Sequence, residues 1–165
     1  MKILYFGGQK SGKSIFAEKK TLDLAKDKKP YYIATYDNSF NDEEMNERIK
    51  THRMQRKDKF KFIEEQFNFP LLIQPNQTYI VDCVSMWLFN SMAEKNKDWF
   101  LNALERLIDM DSNIVFVLID VNNGVIPADK ESRKFVDLTG SIAQKLVKMC
   151  DEVYEVKFGI EVKLK

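Results

Sequence analysis

Gly7-Gly8-Gln9-Lys10-Ser11-Gly12-Lys13-Ser14 lies between a short apolar run, Lys2 to Phe6, and a stretch of good helix formers, Ser14 to Lys26. The eight residues fit G-x-x-x-x-G-K-[ST] without a gap, and a strand before and a helix after form the context that this motif needs. Gly7 and Gly12 permit backbone angles and a closeness of approach that a Cβ would block. Successive N–H groups, including those of Gly8, Gln9, Lys10 and Ser11, can then point into one concavity, and the following helix offers it a positive end. In such a cradle the Lys13 ammonium reaches the β- and γ-phosphates of ATP or GTP, and the Ser14 hydroxyl binds Mg²⁺. Taken alone, the motif could also be a chance match in a glycine-rich turn.

Outward from this segment, β-rich and helical stretches alternate. Tyr31 to Thr35 reads as a second strand, Asp42 to Lys57 as a helix with its acids first and its bases last, and Lys61 to Glu64 as a short strand. Phe69 to Ile73 reads as an apolar turn between Pro70 and Pro75. Thr78 to Asp82 is a strand ending in an acid, and Ser85 to Glu94 and Asp98 to Met110 are helical. Asn113 to Ile119, NIVFVLI, has the continuous apolar character of a strand buried on both faces. Ser132 to Met149 is a helix, and Glu152 to Val156 and Ile160 to Leu164 form a closing pair across Gly159. The pattern predicts an α/β fold: a mostly parallel sheet flanked by helices, with an antiparallel pair at the C-terminal edge. Ligands of such sheets gather at the carboxyl ends of the strands.

A phosphate cradle of this kind also needs an acid at the end of a neighbouring strand to hold the shell of the metal. Asp82 is the first candidate and Asp120, after NIVFVLI, the second; either could instead cap a turn. The chain has one histidine, His52. Arg48 lies one helical turn before it on the same face, and Arg53 and Arg56 follow. A histidine can attack phosphorus directly and form a phosphoramidate, and nearby arginines would neutralise phosphate oxygens. The pattern alone equally fits a solvated basic face carrying a bystander histidine.

Composition narrows the class. The chain has 165 residues, which suits one domain spanning 1–165, and 26 basic against 25 acidic residues give no global attraction to nucleic acid or an anionic membrane. Cys83 and Cys150 are far apart and lie beside apolar segments, so they read as buried free thiols rather than a disulfide or zinc site. The N-terminal apolar run is too short for a signal peptide, and no stretch approaches the roughly 18 apolar residues of a spanning helix. The expectation is a soluble, cytoplasmic protein with neither nucleic acid nor membrane as a partner.

Several further stretches carry a family resemblance along nearly the whole chain. They are GGQKSGKS; YIAT at Tyr32 to Thr35; DEEMNERIKTHRMQR at Asp42 to Arg56; Glu64; VDCVSMWLFN at Val81 to Asn90; GVIP at Gly124 to Pro127 before Arg133 to Gly140; and the tail from Asp151 to Lys165. In this order they resemble the bifunctional adenosylcobinamide kinase/adenosylcobinamide-phosphate guanylyltransferases of cobalamin biosynthesis, and the stretch holding His52 is the specific part. The resemblance implies a RecA-like P-loop NTPase fold, a homotrimer, and adenosylcobinamide and its phosphate as substrates. It implies phosphorylation of the corrinoid by ATP or GTP, then transfer of GMP from GTP through a GMP adduct on His52. It assigns Arg48, Arg53 and Arg56 to nucleotide phosphates, Glu64 and Asp82 to the nucleotide or its Mg²⁺, and Thr35, Tyr36 and Asp37 to the guanine nucleotide site. The chain departs from the family pattern at Ile119-Asp120, where Asn-Glu is usual, and at Ala143, where Asn is usual.

Overall fold

The computed structural model describes residues 1–36 and 56–165. Its elements run β1 (Lys2–Gly7), α1 (Lys13–Ala25), β2 (Tyr31–Ala34), β3 (Lys61–Glu64), a 3₁₀ turn (Phe69–Leu71), β4 (Thr78–Asp82), α2 (Val84–Ser91), α3 (Lys97–Ile108), β5 (Asn113–Ile119), α4 (Lys130–Met149), β6 (Glu152–Lys157) and β7 (Ile160–Lys163). The helix expected over Asp42 to Lys57 falls almost wholly outside the described residues.

The seven strands form one sheet in the order β3-β2-β4-β5-β1-β6-β7. Every pair is parallel except β6 with β7, which is antiparallel, as the short Phe158-Gly159 connection requires. Strand alternation divides the apolar side chains between two cores. From β5, Ile114, Phe116 and Leu118 join the core formed with α2, α3 and α4, whereas Val115 and Val117 join the core that includes Ala17 of α1. NIVFVLI is a central strand, and its five inner residues are all buried, because helices cover both of its faces.

The helix starts differ in a way that matters for binding. Asn96 caps α3 by accepting from the Trp99 amide at 2.9 Å, and Asp129 caps α4 by accepting from Ser132 at 2.8 Å. Helix α1 starts at Gly12 with no side-chain cap and no acid in its first turn. Its N-terminal amides and positive dipole end are therefore not satisfied from within the helix.

The tail of the chain braces the loop before α1. The Gly159 amide donates to the Ser11 carbonyl at 2.9 Å. A Cβ on Gly7 would lie 2.2 Å from the Val156 carbonyl oxygen of β6, while a Cβ on Gly8 would meet nothing within 4 Å. Gly7 is thus required by the close approach of β6, and Gly12, at φ 95°, by its left-handed backbone. No described helix is long and apolar enough to cross a membrane.

These contacts predict unequal costs for two adjacent glycines. Gly7→Ala should lower the unfolding free energy by about 1–3 kcal/mol, since a backbone carbonyl must shift. Gly8→Ala should change it by less than about 1 kcal/mol in either direction. Urea denaturation of both variants checks this.

Candidate functional site

The carboxyl ends of β1, β2, β3 and β4 open on a cleft of about 620 Å³, a size typical of small-molecule sites, which span roughly 300–1,000 Å³. One end is the loop of residues 7–14. Gln9, Lys10, Gly12, Lys13 and Ser14 line the cleft from this side. Lys10 and Gly12 both take positive φ, 57° and 95°, which turns the loop back around its own amides. The Lys13 side chain is buried and donates to the Gly8 carbonyl at 3.1 Å. Burial lowers its pKa, and the negative Asp82 opposes that shift.

Three observations fit this loop to a phosphate. Lys13 has no ion-paired carboxylate among the described residues, the Ser11 hydroxyl is buried without a hydrogen-bond partner, and α1 lacks a cap. An anion seated in the loop would accept from all three kinds of donor.

Asp82 closes β4 and lines the same cleft, near enough to Lys13 to act on its charge. Its strand is not the immediate neighbour of β1, contrary to the simplest expectation, because β5 lies between them. The acid after that adjacent strand, Asp120, is folded into its own turn. Its carboxylate accepts from the Asn122 amide at 3.0 Å and from the Asn123 side chain. Asp120 therefore acts as a turn cap, and Asp82 is the acid that faces the loop.

A chain of contacts links Asp82 to the far wall. Tyr32 of β2 donates its hydroxyl to Asp82 Oδ2 at 2.5 Å. The Arg56 guanidinium sits over the Tyr32 ring, 4.7 Å from its centroid, and pairs with Glu18 of α1 at 2.5 Å. Burial and the adjacent Asp82 raise the Tyr32 pKa well above the ordinary value, so the hydroxyl keeps its proton and stays a donor. Burial likewise raises the Glu18 pKa, against the pull of Arg56. Phe62 stacks on Tyr32, with centroids 5.0 Å apart.

The expected site residues divide accordingly. Tyr36 and Glu64 line the cleft with the loop residues and Asp82. Arg56 also lines it, but its charge is already paired with Glu18, where a phosphate partner was expected. Thr35 departs further from expectation. It is fully buried and does not line the cleft; its hydroxyl donates to the Cys83 carbonyl at 2.6 Å and accepts from the Cys83 amide at 2.9 Å. Thr35 therefore holds the Asp82-Cys83 turn rather than facing a ligand. Asp37, Arg48, His52 and Arg53 lie outside the described residues. Of the two departures from the family pattern, Ile119 lines the cleft, whereas Ala143 packs against the core on α4 and does not reach the strand ends.

Other residues of the VDCVSMWLFN stretch stitch the strand ends together. The Ser85 hydroxyl bonds both the amide and the carbonyl of Ile119, at 2.8 and 3.2 Å. Trp87 donates to the Phe67 carbonyl at 2.7 Å, and Asn90 donates to the carbonyls of Thr35 at 2.7 Å and Gln66 at 3.2 Å. Tyr32 and Glu18 were not singled out in the sequence. The signal for Tyr32 was present: alternation along Tyr31 to Ala34 puts Tyr32 and Ala34 on one face, and Ala34 is the register partner of Asp82.

Comparison with known proteins places this cleft in a family. At 12% identity and a TM-score of 0.55, the fold matches the crystal structure of the flagellar accessory protein FlaH from Methanocaldococcus jannaschii, covering 99% of this chain and 77% of that one. That likeness concerns the fold alone. In sequence the chain is 31% identical to the bifunctional adenosylcobalamin biosynthesis protein CobU of Escherichia coli, with both chains covered in full. It is 30% identical to the protein of that name from Salmonella typhimurium, again over all of both chains, and 30% identical to CobP of Pseudomonas aeruginosa over all of this chain and 98% of that one. The family model for cobinamide kinase / cobinamide phosphate guanyltransferase (CobU) matches residues 3–164, so the match takes in the loop of residues 7–14, Tyr32 and Asp82 together. The chain belongs to the cobinamide kinase / cobinamide phosphate guanyltransferase family.

Proposed function

We propose that this protein phosphorylates adenosylcobinamide with ATP or GTP and then transfers GMP from GTP to the phosphate it has made, yielding adenosylcobinamide-GDP. The observation that carries this reading is that Lys13 and Asp82 line one cleft, in a chain whose family match spans residues 3–164.

For the kinase step, the amides of the loop and Lys13 hold the β- and γ-phosphates. Ser14 and Asp82 are the residues that would hold Mg²⁺, which supplies charge neutralisation on the phosphate oxygens when bound. The corrinoid hydroxyl attacks the γ-phosphorus and gives up its proton to solvent, the bond to the bridging oxygen breaks, and ADP or GDP leaves. Lys13 acts by its positive charge as negative charge builds on the transferred group. Its burial strengthens that interaction, because less water screens it.

For the transferase step, the reading rests on His52, supported by the sequence motif around it. A ring nitrogen of His52 attacks the α-phosphorus of GTP and pyrophosphate leaves, giving a phosphoramidate. An oxygen of adenosylcobinamide phosphate then attacks that phosphorus, the N–P bond breaks, and the imidazole is restored. Arg48 and Arg53 would neutralise the phosphates in this step. Arg56 is better suited to holding the cleft wall, since Glu18 occupies its guanidinium. The whole chain would act as one nucleotide-binding domain, in the cytoplasm and as a homotrimer.

The experiment is labelling of the protein by α-³²P-GTP with Mg²⁺, beside γ-³²P-GTP and a His52→Ala variant. An acid-labile, alkali-stable label should appear from the α-labelled nucleotide only, and not on the variant. Absence of label on a protein that binds GTP would refute the covalent step. Separately, Lys13→Ala should reduce kcat of the kinase step by about 10²–10³-fold while the unfolding midpoint in urea stays close to that of the parent. A loss of tenfold or less would show that Lys13 does not stabilise the transferred phosphate.

A further inference from the structure

We propose that Tyr32 is a positioning residue for the Asp82 carboxylate, orienting it for the Mg²⁺ that accompanies the nucleotide. The inference rests on the reading of the cleft as a Mg²⁺-nucleotide site and extends it to a residue that does not itself hold the metal or the phosphates.

The bland alternative is that Tyr32 is a buried tyrosine whose hydroxyl has found a convenient acceptor. Tyr79 is an example of that kind. It is equally buried, and its hydroxyl meets backbone groups only, accepting from the Gln74 amide at 3.1 Å and donating to the Leu72 carbonyl at 3.5 Å. Tyr32 differs in three respects. Its acceptor, at 2.5 Å, is the carboxylate of Asp82, which lines the same cleft as Lys13. Its ring contacts both Phe62 and the Arg56 guanidinium, and Arg56 is itself tied to Glu18 on the helix that begins at the phosphate loop. Its backbone is locked beside the acid, because β2 and β4 pair in register from Tyr31↔Tyr79 to Ala34↔Asp82.

A carboxylate at the end of a strand turns readily about its last side-chain bond. A fixed donor on Oδ2 removes that freedom and leaves the other oxygen to meet the metal or its water. This is the role that outer residues play for metal-binding carboxylates, and their loss typically weakens metal binding by about 10–100-fold. The cation–π contact with Arg56 and the stacking on Phe62 add to the packing that holds the ring carrying this donor.

The test is calorimetric titration of Mg²⁺ into the protein saturated with a non-hydrolysable GTP analogue, together with analogue binding in EDTA. Tyr32→Phe keeps the ring and its packing, so the fold should hold. The proposal expects its Mg²⁺ dissociation constant to rise about tenfold, with metal-free analogue binding within twofold of the parent. Asp82→Asn should raise the same constant, and adding Tyr32→Phe to it should change nothing further. Three results would overturn the proposal: an unchanged Mg²⁺ constant in Tyr32→Phe, an equal loss of metal-free binding, or effects of the two substitutions that multiply. If the parent binds the analogue without any dependence on Mg²⁺, the metal-nucleotide reading of the cleft falls as well. A Mg²⁺-dependent parent with an unaffected Tyr32→Phe variant would remove only the role of Tyr32.

Discussion

The carbonyl oxygen of Val156 on β6 occupies the space that a side chain at position 7 would need. The path of the chain out of β1 follows from that contact. With no Cβ at Gly7, β6 can lie against the end of β1, and the β6–β7 tip can reach the loop and bond Ser11 through Gly159. The loop is then closed by two left-handed residues, Lys10 and Gly12, and delivers Lys13 and the bare N-terminus of α1 to the cleft. The last strands of the chain thus act as the back wall of its first functional loop. Residues far apart in sequence fix the path of this loop together.

The opposite side of the cleft follows a similar logic. Asp82 can face Lys13 because β5 separates β4 from β1 and all three strands run parallel, which puts their carboxyl ends at one edge. The turn that follows Asp82 is held by Thr35, the start of α2 is tied to β5 by Ser85, and Asn90 fastens the ends of β2 and β3. Buried polar groups that each find a partner give the strand ends a single arrangement. The polar residues of the VDCVSMWLFN stretch act mainly on the protein's own backbone, and Asp82 is the one that reaches the cleft.

Much of this was legible from the residues. The strands, the helices around them, the parallel sheet and its antiparallel edge follow from alternation and from turn residues, and the structure agrees with them to within a residue or two at most ends. The turn of residues 7–14 between β1 and α1 was legible because its backbone depends on local residue types. Contacts between distant residues were not. Thr35 and Cys83 are 48 positions apart, and Tyr32 and Asp82 are 50 apart. Nothing local distinguishes a threonine that holds a turn from one that faces a ligand, so Thr35 was assigned to the nucleotide and is in fact buried. The family resemblance assigns Arg56 to a phosphate, and its pairing with Glu18 is visible only once α1 is folded against it. Ala143, where the family pattern has Asn, packs against the core from α4.

The central proposal is that this chain makes two successive transfers to a single corrinoid substrate, the first of them in the cleft that Lys13 and Asp82 line. The most direct measurement follows adenosylcobinamide through both of them, by chromatography of reactions containing Mg²⁺ and either γ-³²P-GTP or α-³²P-GTP. The account predicts that label from the γ-phosphate appears first in adenosylcobinamide phosphate. Label from the α-phosphate should appear afterwards, in adenosylcobinamide-GDP. A protein that binds GTP in this cleft yet labels neither corrinoid product would contradict the account.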